Sequence, residues 1–428
     1  MVNPFKREAD HMVVETAGPV NHEVRVPGSK SLTNRFLLLA AMARGTSRLT
    51  GVLSSEDTHY MRNALDLLGV SIQEEGDSWT LSSRSWRSPD QPLFVGNAGT
   101  AMRFLAPALA LMDSQTELTG NERMQARPIA DLVAGLRQLG CQVNYEGKPG
   151  YPPLKIRGPM SAGRVRVRGD ASSQYLSGLL MALPRLKGDS RIEVEGPLVS
   201  QTYVAMTLDC MARFGVRVAH DPDFRTFQVP GPQEYAPSQV QIEPDGSTAS
   251  YWFALPMMTG GSVCVLDVPE TSQQGDYGLL DILVEMGARV TRSPQRTRIT
   301  QAVLQGIEVD MNTMSDVAPT LAVIATRAEG PVTIRNVANM RIKECDRIDC
   351  LQTAFDSLGL DMESGRDWMR INPGRPTKTA TLDPRDDHRM AMVFGLLGLA
   401  YGGVTVAQAD CVAKTYPAFW QEMAKAFA

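Results

Sequence analysis

Apolar and polar positions along this chain recur in a fixed order. Six segments are apolar on nearly every helical face: KSLTNRFLLLAAMARG, GTAMRFLAPALALM, SSQYLSGLLMALP, STASYWFALPMMTGG, VAPTLAVIATRAEG and HRMAMVFGLLGLAYGG. A helix without a broad polar face belongs in a core, so the pattern predicts six buried helices. Each is followed by a short strand-like run: SRLTGV, TELTGN, RIEVEG, SVCVLDV, PVTIRNV and GVTVAQA. Between these blocks lie amphipathic phrases that close on glycine: ALDLLGV, GLRQLGC, MARFGVR, LVEMGAR and FDSLGLD. Their glycines, Gly69, Gly140, Gly215, Gly287 and Gly359, lie 71, 75, 72 and 72 residues apart. Each stands where a helix stops in the left-handed conformation. Strand pairs follow, as in VSIQEEGDSWTLS and ARVTRSPQRTRIT.

A period this long is the mark of a fold built by repetition. The unit runs buried helix, strand, loop, amphipathic helix, strand, turn, strand, and there are six. Three units fill a core of ordinary size, whereas six in one core exceed it. The pattern therefore predicts an α/β protein of two domains, each of three repeated units with buried helices. One is expected over residues 29–243, the other over residues 1–28 plus 244–428, with the chain crossing near Gly28 and Glu243. The last unit stops at YPAFWQEMAKAFA without its strand pair. MVVETAGPVNHEVRVPG, read as strand, turn and strand, is expected to supply it.

Polar residues gather where the buried helices begin. They are Ser29-Lys30-Ser31, Asn97-Ala98-Gly99-Thr100, Ser172-Ser173-Gln174, Asp245-Gly246-Ser247-Thr248, Ser315-Asp316 and Asp386-Asp387-His388-Arg389. Capping of free N–H groups explains the oxygens. It does not explain Lys30, Arg35, Arg103 or Arg389, because a helix N-terminus is already positive. Cations there make sense if the helix ends receive an anion. Loops expected at the same end add Arg123, Arg127, Arg341, Lys343, Arg347 and Lys414. About eight basic groups facing one cleft between the domains would suit substrates with several negative charges. Asp316 and Glu344 stand among them, where neighbouring cations keep a carboxylate ionised and able to act as a base.

Composition narrows the function further. With 43 basic and 47 acidic residues the net charge is −4, so overall charge offers nothing to nucleic acid. No apolar run is long enough for a membrane span. MVNPFKREADHM lacks the apolar stretch of a signal peptide, and a cytoplasmic location is expected. Six cysteines without a C-x-x-C pair, and five histidines, argue against zinc and disulfide frameworks. GSKS at residues 28–31 fails the phosphate-loop pattern because Ser29 separates Gly28 from Lys30, and no G-x-G-x-x-G follows a strand. Neither a metal nor a cofactor is expected.

VPGSKSLTNR, GNAGTAMR, ERMQARP, GDASSQY, SQTY, NMRIKECDR, DDHRMAM and AKTYP, in this order, together resemble the 5-enolpyruvylshikimate-3-phosphate (EPSP) synthase family, the 3-phosphoshikimate 1-carboxyvinyltransferases. The resemblance covers nearly the whole chain. It implies an enolpyruvyl transferase-like fold of two domains, each with three βαβαββ units, acting as a monomer. It also implies transfer of the enolpyruvyl group of phosphoenolpyruvate to the 5-hydroxyl of shikimate 3-phosphate, by addition and then elimination of phosphate. On motif match, shikimate 3-phosphate would meet Lys30, Ser31, Arg35, Ser172, Ser173, Gln174, Ser200, Tyr203, Asp316, Asn339 and Lys343. Phosphoenolpyruvate would meet Lys30, Gly99, Arg127, Gln174, Arg347, Arg389 and Lys414. Asp316 would be the base, and Glu344 or Lys30 the acid.

Phe104 stands where glyphosate-sensitive members of the family usually have proline, and Gln201-Thr202 before Tyr203 is also unusual. The sister family that uses UDP-N-acetylglucosamine usually carries a cysteine before the R-P pair; GNERMQARP has none. A non-catalytic anion-binding protein would not need the Asp316 and Glu344 pair.

Overall fold

The computed structural model describes residues 3–428. By its internal contacts the chain divides into two compact units, Gly28–Ile242 and Glu243–Ala428 together with the residues up to Pro27. Each unit has its own apolar core. In the first, the core is built on the buried helices Lys30–Met42, Gly99–Leu109 and Ser173–Ala182. In the second it is built on Gly246–Thr259, Ala318–Ala325 and His388–Tyr401. All six predicted buried helices are present. Every residue from Leu32 to Met42 and from His388 to Leu399 is buried, polar ones included.

Each unit carries three four-stranded sheets of one design. A short strand enters a buried helix, and the strand leaving that helix pairs with a parallel neighbour, as Arg164–Arg168 does with Ser190–Glu195. The next two strands add antiparallel, as in the ladder of Ser190–Glu195 with Thr226–Val229, then Ala219–His220. The entering strands, such as Leu93–Phe94, are too short to announce themselves by alternation. The five spaced glycines end their helices as expected, with φ of +94°, +83°, +81°, +109° and +70° in chain order. L-residues with a side chain rarely take such angles, which is why glycine recurs there.

One expectation fails. His11–Val14 and Val20–Val24 are strands but do not form a hairpin. His11–Val14 pairs with Phe5–Glu8 and with Val404–Val406, completing the sheet of the last unit. Val20–Val24 instead runs parallel to Gly261–Leu266 in another sheet. Its counterpart Gln239–Gln241 runs parallel to Gly45–Thr50. Thus the strands that precede Lys30 and Gly246 each join a sheet belonging to the repeat across the chain rather than the one they lead into.

Candidate active site

Arg347 is the centre of the polar cluster in the second unit. It opens the helix Arg347–Leu358, capped by Asp346, and its side chain is only 1% exposed. Its Nε donates to Asp387 Oδ2 at 2.8 Å, Nη1 to Asp316 Oδ1 at 3.1 Å and Nη2 to Glu344 Oε2 at 2.9 Å. Burial works against its charge, but Asp387, Glu344 and Asp316 outweigh burial and push its pKa up. Asp316 joins two further cations, Lys343 Nζ at 3.1 Å and Arg389 Nη2 at 3.0 Å. Glu344 Oε1 lies 3.2 Å from Lys414 Nζ.

Asp316 lies just outside the helix Ala318–Ala325, whose cap is Val317. It is therefore no cap, and its role is among the cations. Burial would raise its pKa, yet Arg389, Lys343 and Arg347 hold it well below the usual carboxylate range. Asp387 does cap a helix, accepting from the Arg389 backbone N–H at 2.9 Å, while also holding Arg347. Asn339 Nδ2 donates to Ser315 Oγ at 3.0 Å, one residue before Asp316. Arg341 turns away, donating to Asp346 Oδ2 at 2.8 Å and to the carbonyl of Arg366. The expected excess of cations is thus tempered: Lys343, Arg347, Arg389 and Lys414 are each engaged by a buried or half-buried carboxylate.

The first unit presents its own group. Lys30 Nζ lies 3.3 Å from Asp57 Oδ2, with both side chains largely buried. Arg127 Nη1 donates to Asn97, to its carbonyl and its Oδ1, at 3.2 Å each. Gly99 starts its helix directly beneath Arg127: a Cβ there would lie 2.7 Å from Nη2 and 2.9 Å from Nη1. Ser172 caps the helix that Ser173 and Gln174 open, accepting from the Gln174 N–H at 3.3 Å. Ser200, at the start of Gln201–Arg213, holds the left-handed conformation at φ 53°, ψ 46°. A non-glycine residue there is strained, and such strain gathers at functional sites.

Arg35 is 2% exposed. Nε donates to Thr207 Oγ1 at 2.8 Å, Nη1 to the Ser31 carbonyl at 2.9 Å and Nη2 to the Tyr203 carbonyl at 3.0 Å. These bonds use three of its five N–H groups. Burial brings its pKa down to about 10. Phe104 lies beneath it, with the guanidinium carbon 5.0 Å from the ring centre.

The profile of the family described as EPSP synthase (3-phosphoshikimate 1-carboxyvinyltransferase) matches residues 14–423. The chain belongs to the EPSP synthase family. It is 42% identical over 422 residues to the 3-phosphoshikimate 1-carboxyvinyltransferase of Serratia proteamaculans, spanning 97% of this chain and 98% of that one. It is 42% identical over 419 residues to that of Shewanella denitrificans, spanning 96% and 98%. The EPSP synthase of Acinetobacter baumannii superposes with a TM-score of 0.81 at 26% identity, covering 98% of both chains. The enolpyruvyl transferase NikO of Streptomyces tendae, at 17% identity and a TM-score of 0.79, shares the fold.

Three residues of these clusters were given no role in the site by the sequence. Asp57 sits in the first turn of an amphipathic helix, Glu56–Leu67, where an acidic residue reads as ordinary. Asp387 reads as a cap, and its second task depends on Arg347, forty residues earlier in the chain. Asp276 lies in a short helical turn, Gly275–Gly278, with no local signal. Its carboxylate accepts from Ser247 Oγ and is 4% exposed. Burial first, then the negative charge of Asp316, raises its pKa to about 6.

Proposed function

We propose that this chain catalyses its family's reaction, transfer of the enolpyruvyl group of phosphoenolpyruvate to the 5-hydroxyl of shikimate 3-phosphate, with Asp316 as the base. The observation that carries this reading is the Asp316 carboxylate, held ionised by Lys343, Arg347 and Arg389 within about 3 Å. An ionised carboxylate can take the proton of the attacking hydroxyl as its oxygen bonds to C2 of phosphoenolpyruvate. The methylene carbon must gain a proton in the same stage. Two ammonium–carboxylate pairs can supply it: Lys414 with Glu344, and Lys30 with Asp57.

The tetrahedral adduct carries two phosphates and two carboxylates. Arg127, Arg347, Arg389 and Lys414 would stabilise that charge as it develops, and fixed cations in a dry site act far more strongly than cations in water. Elimination then returns a proton and expels phosphate. Ser172, Ser173, Gln174, Ser200 and Lys343 would hold the phosphate of shikimate 3-phosphate. Ser31, Arg35, Tyr203 and Asn339 would orient its ring and carboxylate.

No helix among the described residues is long and apolar enough to cross a membrane. We read the protein as a cytoplasmic monomer, which light scattering on the purified chain tests for its oligomeric part.

The deciding experiment is phosphate release from phosphoenolpyruvate with shikimate 3-phosphate, beside a parallel reaction with UDP-N-acetylglucosamine. Release only with shikimate 3-phosphate is expected. Release only with the sugar nucleotide would overturn the acceptor, and no release with either would overturn the enzyme reading. Lys30→Ala is expected to lower turnover by about 10²-fold.

A further inference from the structure

A cavity of about 860 Å³ opens in the Gly28–Ile242 unit, far from the groups just described. It is lined by Ala41 and Met42 at the end of one buried helix, Ala108 and Leu111 at the end of the second, and Arg185 and Leu186 just past the third. Lys30 and Gly99 stand at the opposite ends of the first two helices. A helix of this length puts about 18 Å between its ends.

We propose that this cavity binds a small organic carboxylate with an apolar, planar body. Its wall combines the two features such a molecule needs. Trp86, Met112 and Met160 offer an apolar face. The Trp86 indole is fixed in place, because Nε1–H donates to the Ala41 carbonyl at 2.9 Å. Arg44, Arg84, Arg185 and Lys187 surround that face, against a single lining acid, Asp113.

The simplest competing explanation is that these cations neutralise helix C-termini. The structure speaks against it. The Ala41 carbonyl is taken by Trp86, the Ala110 carbonyl accepts from Met160 N–H at 2.8 Å, and the Leu183 carbonyl from Leu186 N–H at 3.1 Å. The cations are also poorly used elsewhere. Arg84 and Lys187 make no ion pair or hydrogen bond among the described residues. Arg44 and Arg185 share one carboxylate, Glu234, at 3.8 and 3.9 Å, beyond hydrogen-bonding distance. Ser114 Oγ, also in the wall, is buried without a hydrogen-bond partner.

The other unit provides an internal comparison. The cavity at the ends of its buried helices, lined by Met257, Thr326 and Tyr401, is only about 470 Å³. There the Tyr401 hydroxyl lies 2.9 Å from Thr326 Oγ1 and 3.3 Å from the Gly374 carbonyl, so the wall's hydroxyls are already partnered within the protein. The first unit leaves a larger space and lines it with four cations, where the second has Arg327 and Arg375 with Glu329.

The test uses 1-naphthoate as probe, with its uncharged isostere 1-naphthamide, read on the Trp86 indole N–H resonance of the full chain. Trp86→Phe assigns that resonance. A saturable shift with 1-naphthoate is expected, at least about tenfold tighter than with the amide, as loss of a charge-assisted contact implies. Arg185→Ala should weaken it by a similar factor. If that variant melts early, Arg84→Ala and Lys187→Ala, both exposed, decide in its place. No saturable shift up to about 10 mM, the weak end of specific binding, would overturn the proposal. Equal binding of the amide, or indifference to every one of these cations, would reduce the cavity to an apolar crevice and overturn it equally.

Discussion

Gly99→Ala separates positioning from stability more cleanly than any other single change. The added Cβ would stand 2.7 Å from Arg127 Nη2, 2.9 Å from Nη1 and 3.0 Å from Arg103 Nη1. Ordinary contact requires about 3.5 Å, so the Arg127 guanidinium must retreat by roughly 0.8 Å. It is held by Asn97 at 3.2 Å through two weak bonds, which such a shift breaks or redirects. The atoms in the way are the far end of a flexible side chain, so the fold itself need not yield. Alanine in place of glycine at a helix start even favours folding by up to about 1 kcal/mol. The melting temperature should therefore hold or rise slightly. A displacement near 1 Å in a group that binds the reacting molecule can cost up to about 10²-fold in rate. We expect kcat/KM for phosphoenolpyruvate to fall by about 10- to 100-fold, chiefly through KM, since Arg127 would contact the substrate before the transition state as well as in it. KM for shikimate 3-phosphate should be unchanged. The assay is initial-rate phosphate release, with phosphoenolpyruvate varied at saturating shikimate 3-phosphate. A wild-type KM for phosphoenolpyruvate in this variant would falsify the role given to Arg127.

Asp316→Asn keeps the shape but removes the base, and kcat should drop by about 10²-fold or more in the same assay; near-normal turnover would remove Asp316 from the proton transfer. Arg347→Met should destabilise the protein by about 3–5 kcal/mol in urea unfolding, because Asp387 would stay buried without its cation while Glu344 keeps only Lys414; a loss under about 1 kcal/mol would mean Asp387 finds another partner. Asp276 should leave a pH signature. Its folded pKa of about 6 lies above the unfolded value of about 3.9. The stability it contributes is thus complete below about pH 4 and is lost as pH rises through about 6. Asp276→Asn should gain on the wild type in melting temperature between pH 5 and pH 7.5, and a constant gap across that range would count against the raised pKa.

Much of this architecture is legible in the chain. The six apolar helices, the strands after them and the five glycines that end in the left-handed region are all local signals. A helix with no polar face has to be buried, and a residue at positive φ has to be small, whatever surrounds them. The eight motifs carry the family for the same reason, because each is a short run whose order along the chain can be read directly.

Partnership is a different matter. Alternation marks His11–Val14 and Val20–Val24 as strands, but backbone N–H and C=O groups are alike in every strand. Only the packing of whole units decides that one pairs with Val404–Val406 and the other with Gly261–Leu266. The charges behave likewise. Asp57 looks like an ordinary helix-start acid until Lys30 comes within 3.3 Å. Asp316 and Glu344 can be placed among cations from the sequence and Asp387 read as a cap, but only the fold shows that Arg347 bonds all three. Secondary structure follows from periods of two and 3.6 residues. Ionisation and chemistry follow from distances of about 3 Å between groups that stand tens of residues apart, and those distances exist only once the chain has folded.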